Sequence, residues 1–409
     1  MFFFRIVMMA LRSLWIHPLR SILATLGVII GVAAVVAAMA ILKGMGARME
    51  SGFASMGSNK IFIGAAVQRR SGRMVGTFDS IKYEDALAID KECGAVAKVM
   101  PQVTSSSTIK FLSKNTTASV LGASEIYPDI NNHKVSEGSF FTRTDVQGGA
   151  AVVVLGAKVK QELFGGRPAI DEKVKISGLL GTRTFTVIGV MEEKGNVAFT
   201  DVDQQVVVPI TAAMERLYGL KSVHAILAEA LSPSDQDIER AKEQIKKVLR
   251  QRHKIRAGQQ DDFQVQAQRE FVTQFAQFQI IAGVVLWSIA GISLVVGGIG
   301  IMNIMLVAVT ERTREIGVRM AMGAQRSDVL NQFLVEASIV SLLGGAAGVL
   351  TGWGLARTIE KITRVMETIT TSGAVLMALG MATVVGIISG IYPAWKASRL
   401  DPVEALRYE

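Results

Sequence analysis

The sequence predicts an α-helical membrane protein with four transmembrane helices and an inserted α+β extracytoplasmic domain of two subdomains. Three observations carry that fold class. Half of the 409 residues are apolar, and mean hydropathy is +0.36. Four segments, about 21–42, 280–309, 333–356 and 373–395, are long and nearly free of charge. Each reaches the roughly 20 residues that a helix needs to cross ~30 Å of hydrocarbon. The stretch 43–279 differs, holding 31 of the 44 Lys and Arg and 26 of the 35 Asp and Glu. It is long enough to bury a core of its own.

The elements follow in order. Over residues 1–20, Phe4, Val7, Met8, Leu11, Leu14 and Trp15 recur at helical spacing, with Arg5 and Arg12 on another face. That pattern predicts an amphipathic helix lying along the inner leaflet. Pro18 permits a turn into the first span, 21–42, which is too long for a cleaved leader and is expected to be a retained anchor. The second span, 280–310, is preceded by Phe271, Phe275 and Phe278 at helical spacing, which predicts one long helix with a stalk above the membrane. Spans at 329–356 and 373–395 follow, joined by a short loop at 357–372 and ending in a tail at 396–409.

Inside 43–279, period-two runs predict strands at 60–64, 97–103, 117–122, 150–155, 173–176, 184–190 and 205–209. Helical patterns fall at 82–93, 158–163 and 234–251. In the last, Ser234 is placed to cap, and Ile238, Ala241, Ile245, Val248 and Leu249 form its buried face. The basic run 246–256 reads as a solvated face. The segment 68–76, rich in Gly and Arg, reads as a loop, and the subdomains are expected to divide near 129–138.

Small residues four apart punctuate the spans: Gly27 and Gly31, Gly344 and Gly348, Gly386 and Gly390. They predict close helix packing, within the chain or between two copies, and not an open pore. The central stretches of the spans carry no charged residue, which argues against an ion-coupled carrier.

The loop 311–328 is the most informative segment. It lies between two spans and carries Arg312, Arg314, Arg319 and Arg326 against Glu311, Glu315 and Asp328. Short basic loops stay cytoplasmic. Both termini are therefore expected inside a bacterial inner membrane and the large domain on the periplasmic side. Within the loop, Glu315 and Arg319 share a helical face, and Ile316, Met320, Gly323 and Ala324 offer a narrow apolar edge. The short opposite loop has only Arg357, Lys361 and Arg364, offset by Glu360 and Glu367, and the net charge of +9 is read with this asymmetry and not as a nucleic-acid surface.

No chemistry-bearing constellation is present. A phosphate-cradling Gly-x-x-x-x-Gly-Lys-Ser/Thr pattern is missing from the 409 residues, as is His-Glu-x-x-His. His17, His133, His224 and His253 are scattered, and Cys93 is the single cysteine. Neither a catalytic residue, a metal site nor a directly bound cofactor is expected.

Four features carry a resemblance. They are the stretch from Leu19 to Val32; the loop from Glu311 to Ala324; Tyr392-Pro-Ala-Trp-Lys-Ala-Ser-Arg-Leu-Asp-Pro to Leu406; and the pair of segments from Val153 to Gly165 and from Phe185 to Val190. Together they resemble the MacB/FtsX-type permeases of ABC transporters, with a MacB-like core over 43–279 and an FtsX-like permease region over 280–409. The resemblance implies a homodimer and a separate cytoplasmic ATPase holding ATP and Mg. It also implies a periplasmic adaptor and an outer-membrane channel. It assigns coupling to Glu311, Arg312, Arg314, Glu315, Ile316, Gly317, Arg319, Met320, Gly323 and Ala324. The implied activity is export or extraction. The alternatives are a mechanotransmitter that regulates a cell-wall hydrolase or senses a peptide, and a lipoprotein-releasing permease.

Overall fold

The computed structural model describes residues 18–70, 73–77, 80–197, 200–363 and 367–407. The expected amphipathic helix at 1–20 lies, up to residue 17, outside the described residues. The chain divides into two compact units: Arg48–Phe275, and Ala276–Glu409 together with the residues up to Ala47.

Four helices are long and apolar enough to cross a membrane. They are α1 (Pro18–Met56), α4 (Gln268–Glu311), α6 (Arg326–Thr363) and α7 (Ser372–Ser398). At ~1.5 Å per residue, the 39 residues of α1 and the 44 of α4 give about 58 and 66 Å, well beyond the hydrocarbon. The sequence reading ended the first helix at residue 42. The helix instead runs on through Gly44 and Gly46, because its last turns are held from outside: the Gln268 amide donates to the Phe53 carbonyl at 2.8 Å. A buried cluster of Val28, Val32, Leu294, Ile301, Phe333 and Ala382 joins the four helices.

The inserted unit is built on a ten-stranded mixed sheet. Its strands are β1 (Lys60–Ala65), β2 (Val96–Phe111), β3 (Lys114–Ala123), β4 (Val135–Gly138), β5 (Val152–Leu155), β6 (Lys173–Gly178), β7 (Gly181–Met191), β8 (Gln205–Pro209), β9 (Ala225–Ala230) and β10 (Phe263–Ala267). The order is β10-β1-β9-β2-β3-β8-β5-β7-β4, and β6 pairs with β2 and β7. The β3–β8 and β5–β7 pairs are parallel. Phe185, Ile61, Ile63, Ile109, Leu155 and Ile176 are wholly buried in its core.

The two halves of this sheet meet along β2. Its first part, up to Gln102, pairs with β9, and Val103–Phe111 pairs with β3. The expected division near 129–138 is therefore not where the sheet divides. One half is discontinuous in sequence, since β1, β9 and β10 come from opposite ends of the domain. The segment expected as a loop at 68–76 forms a hairpin, Val67–Arg70 with Arg73–Thr77.

Helices α2 (Tyr83–Glu92) and α3 (Asp235–Arg252) belong to the first half. The Ser234 hydroxyl accepts the Asp237 amide at 3.2 Å, and the five predicted apolar residues of α3 are buried. The basic end of α3 is more than a solvated face. Arg252 donates to the buried Asp85 carboxylate at 2.7 Å, and His253 sits 3.2 Å from Asp85 and 2.8 Å from Asp262. Burial opposes the imidazolium, but hydrogen bonds to the two carboxylates outweigh it and raise the His253 pKa. Burial likewise opposes the Asp85 carboxylate, yet Arg252, the Lys82 amide and His253 hold its pKa below the usual value. Cys93 is buried, and burial and then Glu92 push its thiol up to about 11.

Candidate functional site

Between α4 and α6 the chain folds α5 (Thr313–Ala321), a short helix with its own start and stop. Arg312 interrupts the run from α4 with φ −103°. The Thr313 hydroxyl donates back to the Val309 and Thr310 carbonyls at 3.0 and 2.9 Å. Beyond the helix, Gly323 takes φ +99°, a conformation that costs glycine nothing and other residues strain. The Asp328 carboxylate then accepts the Gln325 amide at 3.1 Å and opens α6.

The two faces of α5 differ. Thr313, Ile316 and Gly317 are buried. A Cβ placed on Gly317 would lie 2.7 Å from the Ala405 Cβ, so α8 (Pro402–Arg407) packs directly against this point. Ile316 joins the buried cluster with Phe333 and Ala397, and Met320 packs against its edge. The opposite face is open: Glu311, Arg314, Glu315 and Ala321 are exposed, Val318 is 41% exposed and Met322 78%. Gly323 also has open space around it, and Ala324 is half-buried.

Two arginines fix α5 to the third span. Arg312 reaches Glu336 of α6, with its guanidinium 3.3 and 3.4 Å from the two carboxylate oxygens. Glu336 is only 4% exposed. Arg319 donates to the Gln332 side chain at 2.9 Å and also pairs with Glu315. The expected Glu315–Arg319 pair is thus present, and Arg319 has a second role that spacing did not reveal. Glu336 was missed altogether. A lone glutamate one turn inside an apolar run, with a basic loop just before it, was the available signal.

The small residues of the spans meet other helices of the same chain. A Cβ at Gly27 would lie 2.6 Å from the Gly297 Cα, so α1 and α4 touch backbone to backbone. Gly31 faces Leu294 and Ser293 of α4. Gly344 faces Thr25 and Val28 of α1, and Gly348 faces Val32. Gly386 and Gly390 of α7 face Ser341 and Ala337 of α6. The Ser341 hydroxyl donates to the Ala382 carbonyl in the same contact. Gly27 and Gly31 are consequently occupied within the chain and not free for a second copy, as the sequence reading had allowed.

Residues 21–248 match the MacB-like periplasmic core domain, and residues 287–402 match the FtsX-like permease C-terminal. The chain belongs to the MacB-like family. Among curated proteins it is similar to a macrolide export ATP-binding/permease protein MacB of Bdellovibrio bacteriovorus. The two are 37% identical over 97% of this chain and 61% of that protein. It is also similar to a pyoverdine export ATP-binding/permease protein PvdT of Pseudomonas savastanoi pv. phaseolicola, at 38% identity over 98% of this chain and 59% of that protein. The chain thus spans about three-fifths of the length of the curated relatives it matches. The crystal structure of the periplasmic region of MacB from Actinobacillus actinomycetemcomitans is similar over 56% of this chain and 97% of that one. Identity there is 20% and the TM-score 0.45. In this MacB-like permease, α5 lies inside the part matched to the FtsX-like permease C-terminal, and the mixed sheet lies mostly inside the part matched to the core domain.

Proposed function

We propose that this chain is the membrane and periplasmic part of a MacB-type ABC exporter, in which α5 receives the stroke of a cytoplasmic ATPase. The single observation that carries this reading is the two-faced build of α5. One face is locked to α6 and α8 through Arg312–Glu336, Arg319–Gln332 and Gly317–Ala405. The other presents Arg314, Glu315, Val318, Ala321 and Met322. A helix built in this way passes a push into the spans and does not yield to it. The relatives named for macrolide and pyoverdine export support export or extraction of a substrate. In this reading ATP and Mg belong to the ATPase, and the positive-inside distribution supports a position of α5 at the cytoplasmic face of the inner membrane. A periplasmic adaptor and an outer-membrane channel complete the path.

Export through this reading needs two copies. The face of α4 bearing Ile292, Val295, Val296 and Ile299, each at least half exposed, continues to the exposed Asn303. An amide inside hydrocarbon gains a hydrogen-bonding partner when a second α4 presents the same amide.

The test is co-purification with the cognate ATPase. Met322→Glu and Glu315→Arg should leave a folded membrane-inserted chain that no longer retains the ATPase, with loss of complex-dependent ATP hydrolysis. Full retention in both variants would refute the role of α5.

A further inference from the structure

The inserted domain holds a pocket of about 310 Å³ that the transport reading does not use. Its walls include three rings: Phe53 from the end of α1, Phe62 from β1 and Tyr127. Phe53 and Phe62 stand edge to face at 6.2 Å and 70°. Tyr127, His133 and Gln205 line the pocket and are 3%, 3% and 6% exposed. Polar side chains this deeply buried normally hold full hydrogen bonds. These do not. The Tyr127 hydroxyl lies 3.4 Å from both the His133 Nδ1 and the Gln205 Oε1, so one proton serves two distant acceptors. The other end of the Gln205 amide has no hydrogen bond among the described residues. His133 donates Nε2–H to the Glu192 carbonyl at 2.7 Å, and burial lowers its pKa, so Nδ1 is a neutral acceptor.

Among the described residues that line this pocket, Lys194 is the one charged side chain and none is a carboxylate. Its Nζ donates to the Asn131 and Asn132 carbonyls at 2.7 and 2.8 Å, which uses two of its three N–H bonds. The third N–H remains for an occupant, and the ammonium charge is shared with the Glu192 carboxylate that acts on it from outside the lining.

We propose that this pocket binds a small aromatic carboxylate, with its ring among Phe53, Phe62 and Tyr127 and its carboxylate on Lys194 and the Gln205 amide. A volume near the lower end of small-molecule pockets, roughly 300–1,000 Å³, suits one ring or two fused rings. A single lysine with one free donor matches one negative charge. A phosphate dianion is best met by an arginine fork, and no arginine is among the described residues that line the pocket. Offset and edge-to-face stacking on two phenylalanines favours an aromatic ring over an aliphatic one.

The position gives occupancy a consequence. Phe62 also meets Phe271 of α4 edge to face at 5.4 Å and 82°. The rings that would hold the ligand therefore join the end of α1 to the start of α4. Both helices continue as membrane spans, so an occupant bears on the two helices that enter the membrane.

The proposal stands apart from transport, because its readout is binding alone. The full chain in nanodiscs is titrated with 1-naphthoate, 1-naphthamide and cyclohexanecarboxylate by calorimetry, with empty nanodiscs subtracted. 1-Naphthoate should bind saturably, and about tenfold more tightly than either competitor, as one charge-assisted hydrogen bond or one ring stack predicts. Lys194→Gln should erase the preference for naphthoate over naphthamide. Thr104→Trp, a change at an exposed rim residue, should block all three. Equal binding of acid and amide by the unaltered chain overturns the proposal. So does a preference that survives Lys194→Gln, or binding unchanged in Thr104→Trp.

Discussion

Replacing Gly297 by alanine should weaken the membrane bundle, while the same change at Gly291 on the same helix should not. A Cβ at Gly297 would stand 2.6 Å from the Val28 backbone nitrogen and 2.9 Å from the Gly27 carbonyl carbon. Ordinary contact begins near 3.4 Å. Backbone cannot rotate away as a side chain can, so α1 and α4 must part. A gap of ~0.5–1 Å forfeits a quarter to a half of each dispersion contact. Neighbours at Gly31, Leu294 and Ser293 would share that loss, and in lipid no hydrophobic force between helices makes it up. Overpacking of this kind costs about 1–3 kcal/mol, from which alanine's better helix propensity subtracts up to ~1. The expected net loss is about 1–2 kcal/mol. At Gly291 nothing lies within 4 Å of the added methyl, so only the propensity gain of about 0.5–1 kcal/mol remains. The two variants should then differ by ~2 kcal/mol, a roughly thirty-fold difference in unfolding equilibrium. Denaturant titration of the full chain in mixed micelles, followed by circular dichroism, measures this. Coincident unfolding curves for the two variants would refute the backbone contact as the source of bundle stability.

Three further outcomes are expected. Arg312→Gln should lower the melting temperature of the solubilised chain more than Arg314→Gln, because it takes the guanidinium from buried Glu336, at a cost of about 1–3 kcal/mol, whereas Arg314 is exposed. The raised His253 pKa makes its contribution fully present below the unfolded value of about 6.5 and lost as pH rises through the higher folded value. The melting-temperature deficit of His253→Gln should therefore be largest near pH ~6 and shrink toward pH ~9; a deficit that grows with pH would contradict the Asp85–His253–Asp262 cluster. In a Cys93→Ala background, an impermeant maleimide applied to intact cells should label Leu179→Cys and not Met322→Cys, both sites being highly exposed. The opposite pattern would invert the topology.

The membrane helices were legible because lipid demands long uncharged runs, and such runs have few other uses. Strands with clean alternation, such as β7, were legible for a similar reason. Two strands went unread for different reasons. Ala225-Ile-Leu-Ala-Glu-Ala is apolar on both faces, since β9 lies inside the sheet between β1 and β2. Phe263-Gln-Val-Gln-Ala does alternate, but it is short and follows an acid pair with the look of a surface turn; in the fold Asp261 and Asp262 are bound by Arg250 and His253. Local pattern could not show that β1, β9 and β10 come together from opposite ends of the domain. For the same reason a linear boundary near 129–138 was the wrong kind of division.

At α5 the sequence revealed a face but not what covers it. Ile316 and Met320 follow a helical period toward the small residues Gly323 and Ala324, and an apolar edge with small residues on it reads as a docking edge. The same two features are what a helix needs to let α8 approach within a methyl's width, and Gly317 against Ala405 is that approach. Periodicity is blind to this distinction, because an internal and an external partner demand the same chemistry of the face they cover. What separates them is the remainder. After α6 and α8 are seated, the surface left over is Arg314, Glu315, Val318, Ala321 and Met322, bounded by the turn at Gly323. The docking role proposed above for α5 falls on that remainder, which has charge at one end and a flexible thioether at the other. Under that proposal the buried residues of α5 contribute through stiffness, since Ile316, Gly317 and Arg312 seat the helix against α6 and α8.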